Sequence, residues 1–268
     1  MPKRKLQAIW IILIGVLILA FFLFGIRSAF KDKLLKKENS GYKTHPGGGS
    51  DKGFAFIELF TSEGCSSCPP ADELVAQLSK EGRKNVFILG YHVDYWDQLG
   101  WKDKFSNAAW TERQQKYITR LGLGSAYTPQ IILNGVDEFV GSDRERLYRD
   151  ISKYRADDEH EKINISARVI KNSVEVNYQA PQLQGCMIYF ALIQTIGSSQ
   201  VKGGENHGKY LEHINIVSNL KSVTPGEKQN QVNFLIPSDF SLAGNKIVAF
   251  LQRNNDYRIL AATECAIN

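Results

Sequence analysis

Two cysteines separated by two residues, Cys65 and Cys68, constrain this chain more than any other feature. They follow an apolar run at 54–60 and precede a segment of helical periodicity at 71–80. Two thiols at a turn from a strand to a helix can cycle between a dithiol and a disulfide. The adjacent Pro69-Pro70 fits the first turn of a helix, where backbone donors are unpaired. The spacing therefore predicts a redox-active pair.

The position of each cysteine predicts its role. Cys65 precedes the helix, where the unpaired N–H groups and the positive end of the dipole lower a thiol pKa, often into the range of roughly 3.5–7.5. We therefore expect Cys65 to be the exposed nucleophile. Cys68 stands one turn further along the chain, and we expect it to lie deeper and to resolve the mixed disulfide.

A second set of residues is expected to complete the site. Thr128-Pro129 stands immediately before a strand-like segment at 130–133, and we predict a cis peptide bond that presents the backbone of Thr128 to an extended substrate. Glu58 and Asp94 are candidate acids that could take the proton of the resolving thiol. Their alternatives are a solvent-facing strand residue for Glu58 and a turn or cap residue for Asp94.

A Cys-x-x-Cys pair can also bind a metal ion or form a structural disulfide. Structural zinc needs about four ligands, and the chain has no second Cys-x-x-Cys and no histidine pair at zinc spacing. Copper bound by Cys65, Cys68 and His92 is chemically allowed, as is an inert structural disulfide. The leading interpretation contains no cofactor and no metal.

Residues 54–156 alternate strand and helix patterns in the order β-α-β-α-β-β-α. Asn134-Gly135 is a strong signal for a two-residue hairpin, and Ser142 opens a capping box. A strand, a Cys-x-x-Cys turn, a helix and a distant X-Pro at the start of a strand together predict an α/β domain of the thioredoxin-like class.

Residues 157–268 change to short strands separated by turns, which predicts an all-β, sandwich-like domain. Cys186 and Cys265 lie in this half, and a bridge between them would close a long loop and form a structural disulfide; two buried free thiols are the alternative. The segment 203–208 is expected to be a turn or a surface that contacts the cysteine site. The aromatic residues Tyr95, Trp96 and Trp101 are expected to form a rim around Cys65 or to pack in the core.

The N-terminal 37 residues are expected to anchor the protein. Leu6–Ile26 is an apolar run of 21 residues, enough to span a bilayer as an uncleaved signal anchor, with a cleaved signal as the alternative. Lysines and arginines flank both sides, more of them after the span, so the positive-inside count opposes export. The dithiol motif and the second cysteine pair favour export nevertheless, since disulfides persist outside the cytoplasm. Residues 38–53 are polar and Gly-rich and predict a flexible linker.

Net charge argues against nucleic acid as a partner. Residues 1–37 contribute +7 to a total of +5, which leaves −2 for the rest of the chain. The body of the protein therefore has no basic excess of the kind that binds phosphate backbones.

The segment Glu58–Asp72 resembles the signature of an exported bacterial family labelled domain of unknown function 1223, a branch of the thioredoxin-like superfamily. Segments at 91–97, 100–103, 111–114, 127–130, 204–209 and 250–252 resemble it too, so the resemblance covers roughly 54–265. It implies an exported thioredoxin-like protein with a small β-domain and brings no substrate. Relative to thioredoxins, Gly64 replaces an aromatic residue, Ser66-Ser67 replaces Gly-Pro, and Glu58 lies one residue further from Cys65 than the usual acid.

These observations predict a membrane-anchored thiol–disulfide oxidoreductase in the bacterial inner membrane, single-pass, with its soluble part in the periplasm. Its substrates are expected to be protein thiols or disulfides. The alternative is a non-catalytic binding module for a protein partner or copper, in which the cysteine pair is structural.

Overall fold

A computed structural model describes residues 53–157, 160–226, 230–236 and 244–268. The predicted anchor at 1–37 lies outside the described residues, as does all but the last residue of the predicted linker at 38–53. Within the described ranges, no helix has the length and apolar content needed to cross a membrane.

The first half of the structure confirms the predicted order of strands and helices. The elements are β1 (Ala55–Thr61), α1 (Pro69–Lys80), β2 (Val86–His92), α2 (Ala108–Leu121), β3 (Gln130–Leu133), β4 (Asp137–Val140) and α3 (Arg144–Arg155). The cap of α3 differs by one residue from the predicted Ser142. Asn107 caps α2 and Asp143 caps α3, because their side chains accept hydrogen bonds from Ala109 N and Arg146 N.

The strands of this half form a mixed sheet in the order β2-β1-β3-β4. β1 runs parallel to β2 and antiparallel to β3. β3 and β4 form a hairpin at the predicted place, with three residues instead of two between the paired Leu133 and Asp137. Its turn residues Asn134 and Gly135 have φ values of 49° and 77°, the left-handed region that this dipeptide favours. The Asn134 side chain also accepts a hydrogen bond from Phe56 N at 2.7 Å, which fixes the hairpin to β1.

The described part of the second half contains strands and no helix. They are β5 (Asn164–Ile170), β6 (Ser173–Gln179), β7 (Cys186–Gln200), β8 (Tyr210–Val223), β9 (Gln231–Leu235), β10 (Lys246–Arg253) and β11 (Ile259–Ala266). β5, β6 and β9 form a separate antiparallel sheet. The other four strands extend the sheet of the first half, which then has the order β11-β10-β7-β8-β2-β1-β3-β4.

The two regions that the sequence divides at 156/157 share this large sheet. The described residues of 53–268 form a mixed α/β structure with one large sheet and a smaller sheet of three strands. The two halves join where β8 pairs with β2 at Gly90 and Ile216. A Cβ atom on Gly90 would lie 3.2 Å from Ile214 O, so the absent side chain allows this close approach.

Three apolar clusters hold the layers together. One lies between α2 and the sheet and contains Phe60, Tyr91 and Phe250, and a second packs α1 and α3 against the opposite face. The third lies between the two sheets, as expected for a sandwich. Along β7, side chains alternate between clusters, with Phe190 in the third and Ala191 in the first.

The predicted disulfide between Cys186 and Cys265 is wrong, because both are free thiols in the structure. Both strands flank β10, but Cys186 pairs with Arg253 and Cys265 pairs with Ile247. Those two positions are six residues apart on β10, or roughly 20 Å at the rise of a β-strand. A disulfide requires Cα atoms within about 7 Å, so this register keeps the two thiols apart.

Candidate functional site

Cys65 and Cys68 form a disulfide bond in the turn between β1 and α1. Cys65 N donates to Ser62 O and Cys68 N donates to Cys65 O, so two consecutive tight turns carry the chain from strand to helix. Cys68 occupies the N-cap position and Pro69-Pro70 follows in the first turn of α1. The cysteine pair therefore lies at the positive end of the α1 dipole.

The expectation that Cys65 is exposed is wrong for this oxidised form. Cys65 and Cys68 are each 0% exposed, whereas Ser66 and Ser67 between them are exposed. Cys65 Sγ lies 3.3 Å from Ser67 Oγ. The four-residue turn that closes the disulfide places the serines outward and both sulfur atoms inward.

Thr128-Pro129 lies beside the cysteine turn and its peptide bond is cis. Ser67 Oγ lies 3.4 Å from Thr128 O. Trp96 joins the two segments, because its Nε1 donates to Thr128 Oγ1 at 2.8 Å and its Cβ would lie 3.0 Å from a Cβ on Gly64. The absence of a side chain at position 64 thus makes room for Trp96, an aromatic residue of the expected rim.

The two candidate acids have partners of their own. Glu58 is fully buried, and its carboxylate accepts hydrogen bonds from Arg113 Nε at 2.6 Å and from the Tyr117 hydroxyl. Asp94 accepts a hydrogen bond from Thr111 Oγ1 at 2.5 Å and lies near the start of α2. The hydrogen bonds of both carboxylates run to α2 and not to a cysteine, and their proposed role as proton acceptors stays a prediction.

A cluster of buried charged and polar side chains lies beneath the cysteine turn. Glu63 Oε2 accepts from Trp101 Nε1 at 2.7 Å, and Glu63 Oε1 lies 3.3 Å from His213 Nε2. His213 Nδ1 lies 3.7 Å from Asp72 Oδ2. His92 and Asp103 form an adjacent pair at 2.6 Å, and Asp103 also accepts from Glu63 N at 2.9 Å.

These contacts set the charge of the cluster. Burial alone would lower the pKa of His213, but Asp72 and Glu63 raise it to about 10, so the ring is a cation at neutral pH. Burial alone would raise the pKa of Asp103, but His92 and two backbone N–H donors lower it to about 2. Burial and the charge of Asp103 alone would raise the pKa of Glu63, but the adjacent His213 ring and the hydrogen bond from Trp101 lower it.

The β7–β8 connection contacts the cysteine turn directly, one of the two outcomes expected for segment 203–208. Asn206 is fully buried, and its Nδ2 donates to Glu63 O at 2.9 Å and to Cys65 O at 2.8 Å. Glu205 accepts a hydrogen bond from Ser66 N at 3.0 Å. A Cβ on Gly203 would lie 2.2 Å from Gly100 O, so only glycine fits there. We call residues 203–208 the turn clamp.

The copper site of the alternative hypothesis is not assembled. His92 Nδ1 is paired with Asp103, and within the described part of the chain no three histidine, cysteine or acidic side chains are grouped in a way that could hold a metal ion.

Comparison with known proteins places the chain. A family described as "Protein of unknown function (DUF1223)" matches residues 56–252. The chain belongs to this family. The match includes the cysteine turn, Thr128-Pro129, the turn clamp and His213. It therefore reaches strands from both halves of the large sheet, whereas β11 lies beyond it.

Solved structures show the same fold in a relative. A crystal structure of protein AGR_C_4864 from Agrobacterium tumefaciens is 27% identical, with a TM-score of 0.60 over 81% of this chain and 94% of that chain. A domain of the outer membrane lipoprotein Omp28 from Porphyromonas gingivalis is 17% identical over 41% of this chain and 89% of that chain, with a TM-score of 0.24. No curated protein matches the chain.

In the buried cluster of this DUF1223 protein, only His92 was considered from the sequence, as a copper ligand. Glu63, Asp72 and Asp103 stand in segments that resemble the family, but single acidic residues in turns and on helices are ordinary. His213 lies 150 residues after Glu63 in a strand, and no spacing links the two. Only the pairing of β8 with β2 brings them together.

Proposed function

We propose that this protein is a thiol–disulfide oxidoreductase with a thioredoxin-like core, acting through Cys65 and Cys68. The observation that carries the proposal is a disulfide at the start of α1 beside the cis Thr128-Pro129 bond. The strand order β2-β1-β3-β4, with the cysteines after β1 and the proline before β3, supports it. This arrangement brings the cysteine turn, through Ser67, within 3.4 Å of the Thr128 carbonyl, a backbone segment that an extended substrate could pair with.

The proposed exchange conserves electrons and atoms. A substrate thiolate attacks Cys65 Sγ, the Cys65–Cys68 bond breaks, and Cys68 leaves as a thiolate that takes up a proton. A second substrate thiolate then attacks the substrate sulfur of the mixed disulfide and releases Cys65. The substrate dithiol loses two electrons and the protein disulfide gains them; the reverse sequence reduces a substrate disulfide.

Burial of both sulfurs adds a requirement for access. Ser66, Ser67 and the turn clamp cover the disulfide, so exchange with a protein substrate requires that the cover opens. Local opening of loops costs little free energy relative to unfolding of a core strand.

We also propose that the protein is anchored in the bacterial inner membrane by Leu6–Ile26, with the oxidoreductase in the periplasm and protein thiols or disulfides as its substrates. The disulfide between Cys65 and Cys68 fits an oxidising compartment, where disulfides form and persist. Two reporters fused after Asn268, one active only in the cytoplasm and one only in the periplasm, test the orientation. Activity of the cytoplasmic reporter would refute it.

The catalytic proposal is tested with the full-length protein in mild detergent. We expect it to accelerate thiol–disulfide exchange with insulin, and Cys65→Ser to reduce the rate to the uncatalysed level while circular dichroism stays native. The matched control is Cys265→Ser, which removes a thiol outside the site and should retain the rate. An unchanged rate in Cys65→Ser would eliminate the mechanism.

The complete burial of both sulfur atoms favours a second candidate, a binding module with a structural disulfide and a protein partner. Structural disulfides typically have reduction potentials below about −300 mV. A potential in that range, together with no exchange activity, would favour this candidate.

A further inference from the structure

The buried pair of Glu63 and His213 has no role in the proposed exchange steps. Glu63 stands two residues before Cys65, is 0% exposed, and faces His213 Nε2 at 3.3 Å. Among the described residues, Glu63 Oε1 and both ring nitrogens of His213 have no hydrogen-bond partner of good geometry, whereas Glu63 Oε2 accepts from Trp101. Burying charged groups without complete hydrogen bonding is costly, which sets this pair apart from an ordinary core contact.

His213 connects the second half of the chain to the redox turn. It lies on β8, is 3% exposed, and stands between Glu63 in the turn and Asp72 in the first turns of α1. Asp72 N in turn donates to Cys68 O at 3.1 Å. One cation from β8 thus lies against two carboxylates that flank the cysteine turn on both sides.

Two aromatic rings and a third carboxylate also lie near His213. The His92 ring on β2 stacks edge-to-face at 4.5 Å between centroids, and Asp103, in the loop before α2, acts on His213 through its charge. Phe105 packs against the ring at 5.7 Å and is uncharged. Carboxylates outnumber cations at this position, so removing the charge of His213 leaves the turn more negative.

We propose that His213 is a positioning residue that sets the reduction potential of the Cys65–Cys68 disulfide by neutralising the carboxylates of Glu63 and Asp72. The inference deepens the proposed function and rests on it. Reduction by two glutathione molecules breaks the sulfur–sulfur bond, gives one oxidised glutathione, and converts a neutral disulfide into thiols that can ionise. Negative charge nearby disfavours the thiolate, whereas the imidazolium offsets that charge.

The test uses two substitutions of opposite sign. Full-length protein is equilibrated with glutathione buffers of known ratio at pH 7 and pH 8, and the oxidised fraction of Cys65–Cys68 is measured by alkylation and mass spectrometry. We expect His213→Gln to lower the equilibrium constant for reduction three- to tenfold, and Glu63→Gln to raise it by a similar factor. Tenfold corresponds to about 30 mV for a two-electron couple.

Two further variants separate charge from packing. His213→Lys restores a cation and should return the constant towards that of the wild type. His207→Gln removes an exposed histidine of the turn clamp and should leave the constant unchanged. If His213→Gln fails to fold, Glu63→Gln still tests the proposal. An equilibrium constant for reduction that falls or stays the same in Glu63→Gln contradicts it.

The outcomes distinguish this inference from the proposed function. Opposite shifts with rescue by His213→Lys support it, and shifts in the same direction or none overturn it. The constant is measured on the protein's own disulfide and insulin exchange is measured separately. If the wild type exchanges disulfides with insulin but the equilibrium constant for reduction is the same in every variant, only the role of His213 is refuted. If the constants shift as expected but the wild type does not act on insulin, only the oxidoreductase activity is refuted.

Discussion

At the scale of single residues, polar side chains inside this protein are held by specific partners. Arg113 donates hydrogen bonds to Glu58 and Tyr117. Its guanidinium carbon also lies 5.1 Å from the centre of the Tyr189 ring and 5.2 Å from the centre of the Phe250 ring. Glu58 appeared in the sequence as an acid interrupting an apolar strand. Its partner on α2 could not be read from the sequence, since the two are 55 residues apart and joined only by packing of the helix on the sheet.

Breaking this pair on one side should be costly. We expect Arg113→Met to lower the free energy of unfolding by about 3–5 kcal/mol, because an uncompensated carboxylate remains in the core. Replacing both partners, in Glu58→Leu with Arg113→Met, should cost less than Arg113→Met alone. Urea unfolding at pH 7 measures both, and a double variant less stable than the single one would contradict this account.

Asp103 makes the free energy of unfolding depend on pH in the acidic range. Its pKa is about 2 in the folded protein and 3.8 when unperturbed, so ionisation stabilises the fold above about pH 4 and this contribution is lost as the pH falls towards 2. The difference corresponds to about 2 kcal/mol. We expect Asp103→Asn to be less stable than the wild type at pH 7 and the gap to shrink between pH 4 and pH 2. Glu112→Gln, which removes an exposed carboxylate on α2, is the control and should show no such change.

At the scale of elements, the turn clamp contacts the cysteine turn through hydrogen bonds from another part of the chain. Asn206→Ala removes the hydrogen bonds to the carbonyls of Glu63 and Cys65. Cys65 O keeps its bond from Cys68 N, whereas Glu63 O loses this donor, and we expect a cost of about 1–3 kcal/mol. We also expect faster reduction of the Cys65–Cys68 disulfide by dithiothreitol, since the cover loosens. His207→Ala, on the same segment but exposed, is the matched control. Equal reduction rates in wild type and Asn206→Ala would show that the clamp does not limit access.

Elements of the first half were predictable from local pattern. Apolar strands, helical periodicity and the Asn134-Gly135 hairpin predicted the order of β1 to α3 because each signal lies within one segment. The exposure of Cys65 was mispredicted, because its burial depends on the folded surroundings of the turn, which include the distant β7–β8 connection that bonds to Cys65 O. The full length of β7 and β8 was missed as well, since polar residues such as Ser198 and Ser199 continue β7 beyond its apolar part.

At the scale of the whole molecule, the continuous sheet makes the two halves one unit. The sequence predicted two domains because composition changes from α/β to all-β near residue 157. Pairing of β8 with β2 is a long-range contact that composition does not reveal. The same pairing brings His213 and the clamp to the cysteine turn.

One cooperative unfolding transition should follow. The tryptophans of the described structure, Trp96, Trp101 and Trp110, lie in the first half, whereas Cys186 lies in the second. In a Cys265→Ser variant, Cys186 is the one thiol outside the disulfide, so its alkylation reports on the second half. We expect fluorescence and alkylation to give the same urea midpoint. Two separated midpoints would indicate independent domains.

The redox role of the cysteine turn is tested most directly by trapping its intermediate. Full-length protein carrying Cys68→Ser, Cys186→Ser and Cys265→Ser retains one thiol, Cys65, and is incubated with oxidised glutathione and analysed by mass spectrometry. We predict a mixed disulfide on Cys65 that forms at neutral pH faster than on an ordinary thiol, because α1 begins beside it. A Cys65 thiol that reacts no faster than free cysteine would contradict the account.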